Sequence, residues 1–72
     1  MSLNRQEQLL LDHMKHYGGI STLDAIRKYN IVRPASRIRD LRQKGYVIIT
    51  EMKYKTRRDG SHTKWAFYRL VS

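Results

Sequence analysis

Few side chains in this sequence are of the kinds that make or break bonds. His13 and His16 lie one helical turn apart, with Asp12 beside them, and two imidazoles so spaced could meet a single ion. A firm third ligand is missing, and such pairs more often sit at a surface, so no metal is expected. The chain has no cysteine to act as nucleophile or thiolate ligand. It has no glycine-rich loop ending in Gly-Lys-Ser to cradle a nucleotide phosphate, and no histidine pair at metal spacing next to a glutamate. Neither catalysis nor a cofactor nor a small-molecule substrate is expected.

The chemistry the sequence does supply is cationic recognition. The formal net charge is +9 and the isoelectric point near 10.4. It is unevenly laid: the stretch through Ile26 is slightly acidic, whereas Arg27 to Ser72 holds thirteen of the fifteen basic residues. An excess of this size on a small folded unit draws polyanions: DNA, RNA or an anionic membrane. One cluster contains Arg33, Ser36, Arg37, Asp40 and Lys44. An arginine can bond guanine bidentately, an aspartate can accept from cytosine or orient a neighbouring arginine, and a serine can reach a base edge or a phosphate. A second cluster, Lys55, Arg57, Arg58, His62 and Lys64, offers charge without an obvious code and suits backbone or minor-groove contact. Ser21 and Thr22 open a helix, where phosphate contact is also expected. Arg39, Arg42 and Arg69 are read as readily as structural cations, pairing with Asp40, Glu7 or Glu51.

These groups need elements to hold them. A chain of 72 residues leaves room for one domain, spanning 1–72. A chain of that size buries only about 60% of its unfolded surface, so binding faces are easier to build than enclosed cavities. Without cysteine, stability must come from packing, which fits a reducing, cytoplasmic address. No apolar run is long enough for a membrane span, and Met1 to Gln6 lacks signal-peptide character. Asn4 and Glu7 form a capping-box pattern ahead of Leu9, Leu10, Met14 and Tyr17, predicting a helix over 5–17 that ends at Gly18-Gly19. Ile20-Ser21 is a short extended link. A second helix follows over 23–29, with Leu23, Ala25, Ile26 and Tyr29 available to face inward. Asn30 makes the turn and Ile31-Val32 fills it. Pro34 and Gly45 bracket a third helix over 34–44, whose apolar stripe reads as Ala35, Ile38 and Leu41. The period then becomes alternating over 46–54 and 63–70, and Asp59-Gly60 lies between, predicting an antiparallel hairpin with a basic tip.

Three helices followed by a two-stranded antiparallel hairpin is an α+β arrangement on the winged helix-turn-helix plan. The sequence also resembles a family. Gly19 to Ile26, Tyr29-Asn30-Ile31, the string Arg37-Ile38-Arg39-Asp40-Leu41-Arg42-Gln43-Lys44-Gly45-Tyr46, then Thr50-Glu51 and Tyr68-Arg69-Leu70 are similar to small winged helix-turn-helix proteins common in phages and prophages. The family pattern has glycine where this chain has Asn30, which can adopt the same backbone. The resemblance implies the fold and double-stranded DNA as partner, with the third helix in the major groove. The expected function is that of a sequence-specific regulator of phage or mobile-element type, nucleoid-associated or in a host cytoplasm. The alternatives are an architectural or accessory DNA-binding factor, and a module binding an acidic host protein. RNA is less favoured, since the wing has no aromatic for stacking apart from Tyr54. Strict alternation sets Ala66, Tyr68 and Leu70 with Tyr46, Ile48 and Met52 toward the helices. It leaves Val47, Ile49, Trp65 and Phe67 on the other face, a candidate surface for a homodimer or another partner.

Overall fold

The computed structural model describes residues 3–71. Met1, Ser2 and Ser72, which the sequence reading takes into its domain, lie outside them, as does the beginning of the stretch without signal character. The elements are α1 (Arg5–Tyr17), β1 (Gly19–Ser21), α2 (Thr22–Tyr29), α3 (Pro34–Gln43), β2 (Ile48–Thr56) and β3 (His62–Leu70). This is an α+β fold of three helices and a small antiparallel sheet whose last two strands form a hairpin.

The capping box that starts α1 is fully made. Glu7 N donates to Asn4 Oδ1 at 2.8 Å, and Asn4 N donates back to Glu7 Oε1 at 3.3 Å, satisfying two of the donors a helix start leaves unpaired. At the other end Gly18, at φ 87°, sends its N–H to the Met14 carbonyl, a left-handed cap that a side chain would strain. Asn30 does the same after α2 at φ 54°, which is why the asparagine can stand in a glycine's place there.

The link at Ile20-Ser21 is more than a connector. Residues Gly19, Ile20 and Ser21 pair with Arg69, Tyr68 and Phe67, so the sheet has three strands in the order β1-β3-β2 rather than two. Glycine at position 19 permits this closeness: a Cβ there would lie 2.5 Å from the Phe67 ring and 2.6 Å from the Tyr68 carbonyl. The hairpin is also longer at the tip than the alternation suggests. Pairing runs out to Thr56↔His62, and the turn is left to residues 57–61.

Leu10, Met14, Ile20, Ala25, Ile31, Ile38, Leu41, Ile48 and Tyr68 make one buried cluster between the helices and the inner face of the sheet. Four residues expected to face inward, Leu23, Ile26, Ala35 and Met52, are exposed instead. On α2, Leu23 and Ile26 remain exposed, because so short a helix turns only Ala25 fully inward and Tyr29 partly. On α3, Ala35 is exposed and Pro34 takes its place beside Ile38 and Leu41. Ile31 fills the turn from within, while Val32 points out. Met52 lies on the helix side of the sheet yet is 45% exposed, since the hairpin has by then run past the helices. The extents of 47 × 23 × 20 Å and the radius of gyration of 13.0 Å follow from that projection. About 11 Å would suit a compact chain of this length.

Candidate nucleic-acid interface

On α3 the buried stripe is Pro34, Ile38 and Leu41. At 3.6 residues per turn, the opposite face is the series Ser36, Arg39, Asp40 and Gln43. Arg39 and Gln43 are exposed, Ser36 and Asp40 half-buried. Arg33 stands at the threshold, exposed and making no side-chain capping bond. Arg37 lies on the flank toward α1, where its guanidinium pairs with Asp40 at 3.3 Å and adds to the positive field at Glu7. The sequence weighs Arg39 as readily for a structural role as for contact, and does not single out Gln43. With Pro34 rather than Ala35 in the core, the stripe rotates and Arg39, weighed in the sequence as a partner for a carboxylate, faces outward.

Lys44 is placed differently from the other expected contacts. Its ammonium donates to Glu7 Oε2 at 2.5 Å, and the Glu7 side chain is only 3% exposed. That bond, helped by the Asn4 backbone N–H and the nearby charges of Lys44 and Arg37, holds the Glu7 carboxyl below its ordinary value despite burial. Arg42 is likewise structural: Nε and Nη2 donate to the Ile48 carbonyl at 3.0 and 2.7 Å, and Nη2 to Thr50 Oγ1 at 2.8 Å. Arg69 pairs with Glu51 at 3.1 Å. The hydroxyls named at the start of α2 also work inside the fold. Ser21 Oγ accepts from Asp24 N at 3.0 Å as the helix cap, and Thr22 Oγ1 donates to the Ala66 carbonyl at 2.9 Å, tying α2 to β3. Ser21, Thr22 and Lys44 therefore fall outside the outward-facing set.

The wing presents the complementary picture. Lys55, Arg57, Arg58, His62 and Lys64 are all exposed, and among the described residues no ion pair engages the four lysines and arginines. Arg57 N donates to the Ser61 carbonyl at 2.8 Å, closing the turn. Asp59 accepts from Ser61 N at 2.9 Å and Ser61 Oγ at 2.7 Å, the hydroxyl first among the causes that lower its pKa. The one carboxylate at the tip thus shapes the turn. His62 Nδ1 lies 3.1 Å from Thr56 Oγ1, bracing the strand ends.

On the outer face of the sheet, Val47 and Ile49 are about half exposed, whereas Trp65 and Phe67 are half-buried. Phe67 covers Gly19, and the Lys53 ammonium sits 5.2 Å from its ring centroid. A shallow open pocket of about 350 Å³ lies beside it, lined by Tyr17, Gly18, Phe67, Arg69 and Leu70. His13, one of the two histidines with metal-like spacing, is buried instead against Tyr29, its Nδ1 2.8 Å from the phenol oxygen. Burial, then the Lys28 charge, lowers its pKa. Among the described residues no group of three His, Asp or Glu side chains is placed to hold a metal ion, and no helix is long and apolar enough to cross a membrane.

Compared with known proteins, residues 5–72 match the family model described as a winged helix-turn-helix domain. No curated protein and no solved structure matches the chain.

Proposed function

The chain belongs to the winged helix-turn-helix domain family, and we propose that it binds double-stranded DNA as one such unit and reads sequence with α3. Arg33, Ser36, Arg39, Asp40 and Gln43 face the major groove in this reading, with Arg37 held at its edge by Asp40. Lys55, Arg57, Arg58, His62 and Lys64 follow the adjoining phosphates or minor groove. The biological role is that of a small transcriptional regulator of the phage or mobile-element kind, acting in the cytoplasm that holds its target DNA, without catalysis of its own.

The observation that carries the reading is the pairing of two cationic surfaces at different places on one elongated frame. One is the outward side of α3 with Arg33 and Arg39, anchored through Ile38 and Leu41; the other is the wing tip, where among the described residues no ion pair engages Lys55, Arg57, Arg58 or Lys64. Groups fixed by a core suit discrimination between bases, and long exposed cations suit phosphate contact.

Fluorescence anisotropy against the duplex flanking the gene and against a scrambled duplex, each across a salt series, tests this. Tighter binding to the native duplex that persists near physiological salt is the expected result. Equal binding that collapses with salt would replace the regulator by an architectural factor. No binding even at low salt would overturn the DNA reading altogether.

A further inference from the structure

The sheet order leaves β2 as an edge, and its backbone parity is fixed at both ends. Val71 N donates to the Val47 carbonyl, and Arg57 N to the Ser61 carbonyl. In the antiparallel register these bonds make the odd-numbered residues from 47 to 57 the ones that bond β3. The even-numbered residues turn their N–H and C=O groups outward. At Ile48 that edge is already closed, since Arg42 occupies the carbonyl twice over. Beyond it the backbone groups of Thr50, Met52 and Tyr54 face solvent along an extended strand, the template onto which another strand adds.

The side chains beside this open edge are sorted by face. Thr50, Met52 and Tyr54 lie on the helix side, where Met52 and Tyr54 are 45% and 71% exposed, well beyond what the core covers. On the outer side Lys53 and Arg69 share Glu51, at 3.3 and 3.1 Å, and Lys55 stands beyond them with no ion pair among the described residues, so three cations face one carboxylate there. An added strand therefore meets apolar surface on one face and net positive charge on the other. A second copy of this chain suits it poorly. Each copy carries +9, and antiparallel self-pairing would lay the Arg57-Arg58 tip of one along the Arg42 end of the other.

We propose that the open edge of β2 from Thr50 to Tyr54 captures an extended acidic segment of a partner protein by strand addition. Its apolar residues lie over Met52 and Tyr54, and its carboxylates stand opposite Lys53 and Lys55. This contact uses the open backbone edge of β2 and not the α3 stripe, and of the cations assigned to DNA it engages only Lys55. The main-chain ladder gives the affinity, and the alternation of carboxylate and apolar side chains gives the selectivity.

The test uses a blocked peptide of the order Val-Glu-Val-Glu-Val-Lys-Val, which in antiparallel register sets its glutamates against Lys55 and Lys53 and its lysine against Glu51. Titrated into the full chain, it is expected to bind saturably and to slow hydrogen exchange at the amides of Thr50, Met52 and Tyr54. N-methylation of its valines, which removes the ladder and keeps the charge, is expected to weaken binding by at least about tenfold. Met52→Pro deletes an outward N–H that β3 does not use, a substitution edge strands accept. It is expected to abolish peptide binding and leave duplex binding unchanged. Equal binding of the N-methylated peptide, or protection confined to α3, would overturn the proposal in favour of plain charge attraction. Edge protection that rises with protein concentration in the absence of peptide would overturn it in favour of self-pairing.

Discussion

In the helical body, Lys44 lies on the Glu7 carboxylate, Arg42 on the Ile48 carbonyl and Arg37 on Asp40. In the wing, Lys55, Arg57, Arg58 and Lys64 stand exposed, and among the described residues no ion pair engages them. The two regions share a basic composition but use it oppositely. A cation near a packed surface finds backbone carbonyls and buried acids to satisfy, and there it becomes part of the scaffold. Along the hairpin Glu51 still serves Lys53 and Arg69, but the cations nearer the tip face solvent. Formal charge thus overstates what the body offers a polyanion and describes the wing well.

Core truncation gives the sharpest contrast. Leu41→Ala, at a side chain with no exposure, is expected to cost about 3 kcal/mol through lost burial and the cavity left behind. Tyr54→Ala in the wing should change stability by less than about 0.5 kcal/mol. Urea unfolding of both variants checks this, and comparable losses would break the division into body and wing.

Next comes the buried pair. Glu7→Gln removes the carboxylate charge that Lys44 meets and weakens the capping box, at an expected cost of about 2 kcal/mol. Because the Glu7 pKa is lowered in the fold, its contribution is present above the ordinary value of 4.5 and is lost as pH falls through the folded value. The variant should therefore show less acid sensitivity than the parent below about pH 4.5.

Binding variants follow. Arg39→Ala should weaken binding to the preferred duplex by about 1–2 kcal/mol and relax selectivity, while Arg37→Ala, its guanidinium already engaged by Asp40, should weaken it less. The reverse order in anisotropy would return Arg37 to the reading face. Arg58→Ala should lower affinity for all duplexes alike and reduce the slope of log affinity against log salt by about one, with unfolding unchanged.

The smallest effect concerns His13, whose pKa is lowered from its ordinary 6.5, chiefly by burial. The fold favours the neutral ring. Its contribution is complete above the unfolded value and declines as pH falls below 6.5 toward the folded value. Thermal melts should show the parent losing Tm over that window, and His13→Gln losing less.

Much of the fold was legible because local rules agree with the global result. The Asn4-Glu7 capping box, the Gly18 and Asn30 caps, the Pro34 start of α3 and the Asp59-Gly60 turn each rest on backbone chemistry within a few residues. The third strand was not legible, because three residues carry too little alternation to distinguish a strand from a link. The inward set on α2 was not legible either, since Leu23 and Ile26 look like core by type and only the packed neighbours decide that Ala25 fills the space.

The candidate site divides in the same way. The sequence by itself determined where the charge lies, that α3 has one apolar and one polar face, and that the wing tip is basic, because these depend on residue type and spacing. Only the tertiary structure decided which cations still face outward. The fates of Lys44, Arg42, Ser21 and Thr22 hang on partners 37, 6, 3 and 44 residues away. The Ser21 cap is local, but Lys44 and Thr22 meet Glu7 and the Ala66 carbonyl only when the chain folds, and no local pattern encodes those meetings.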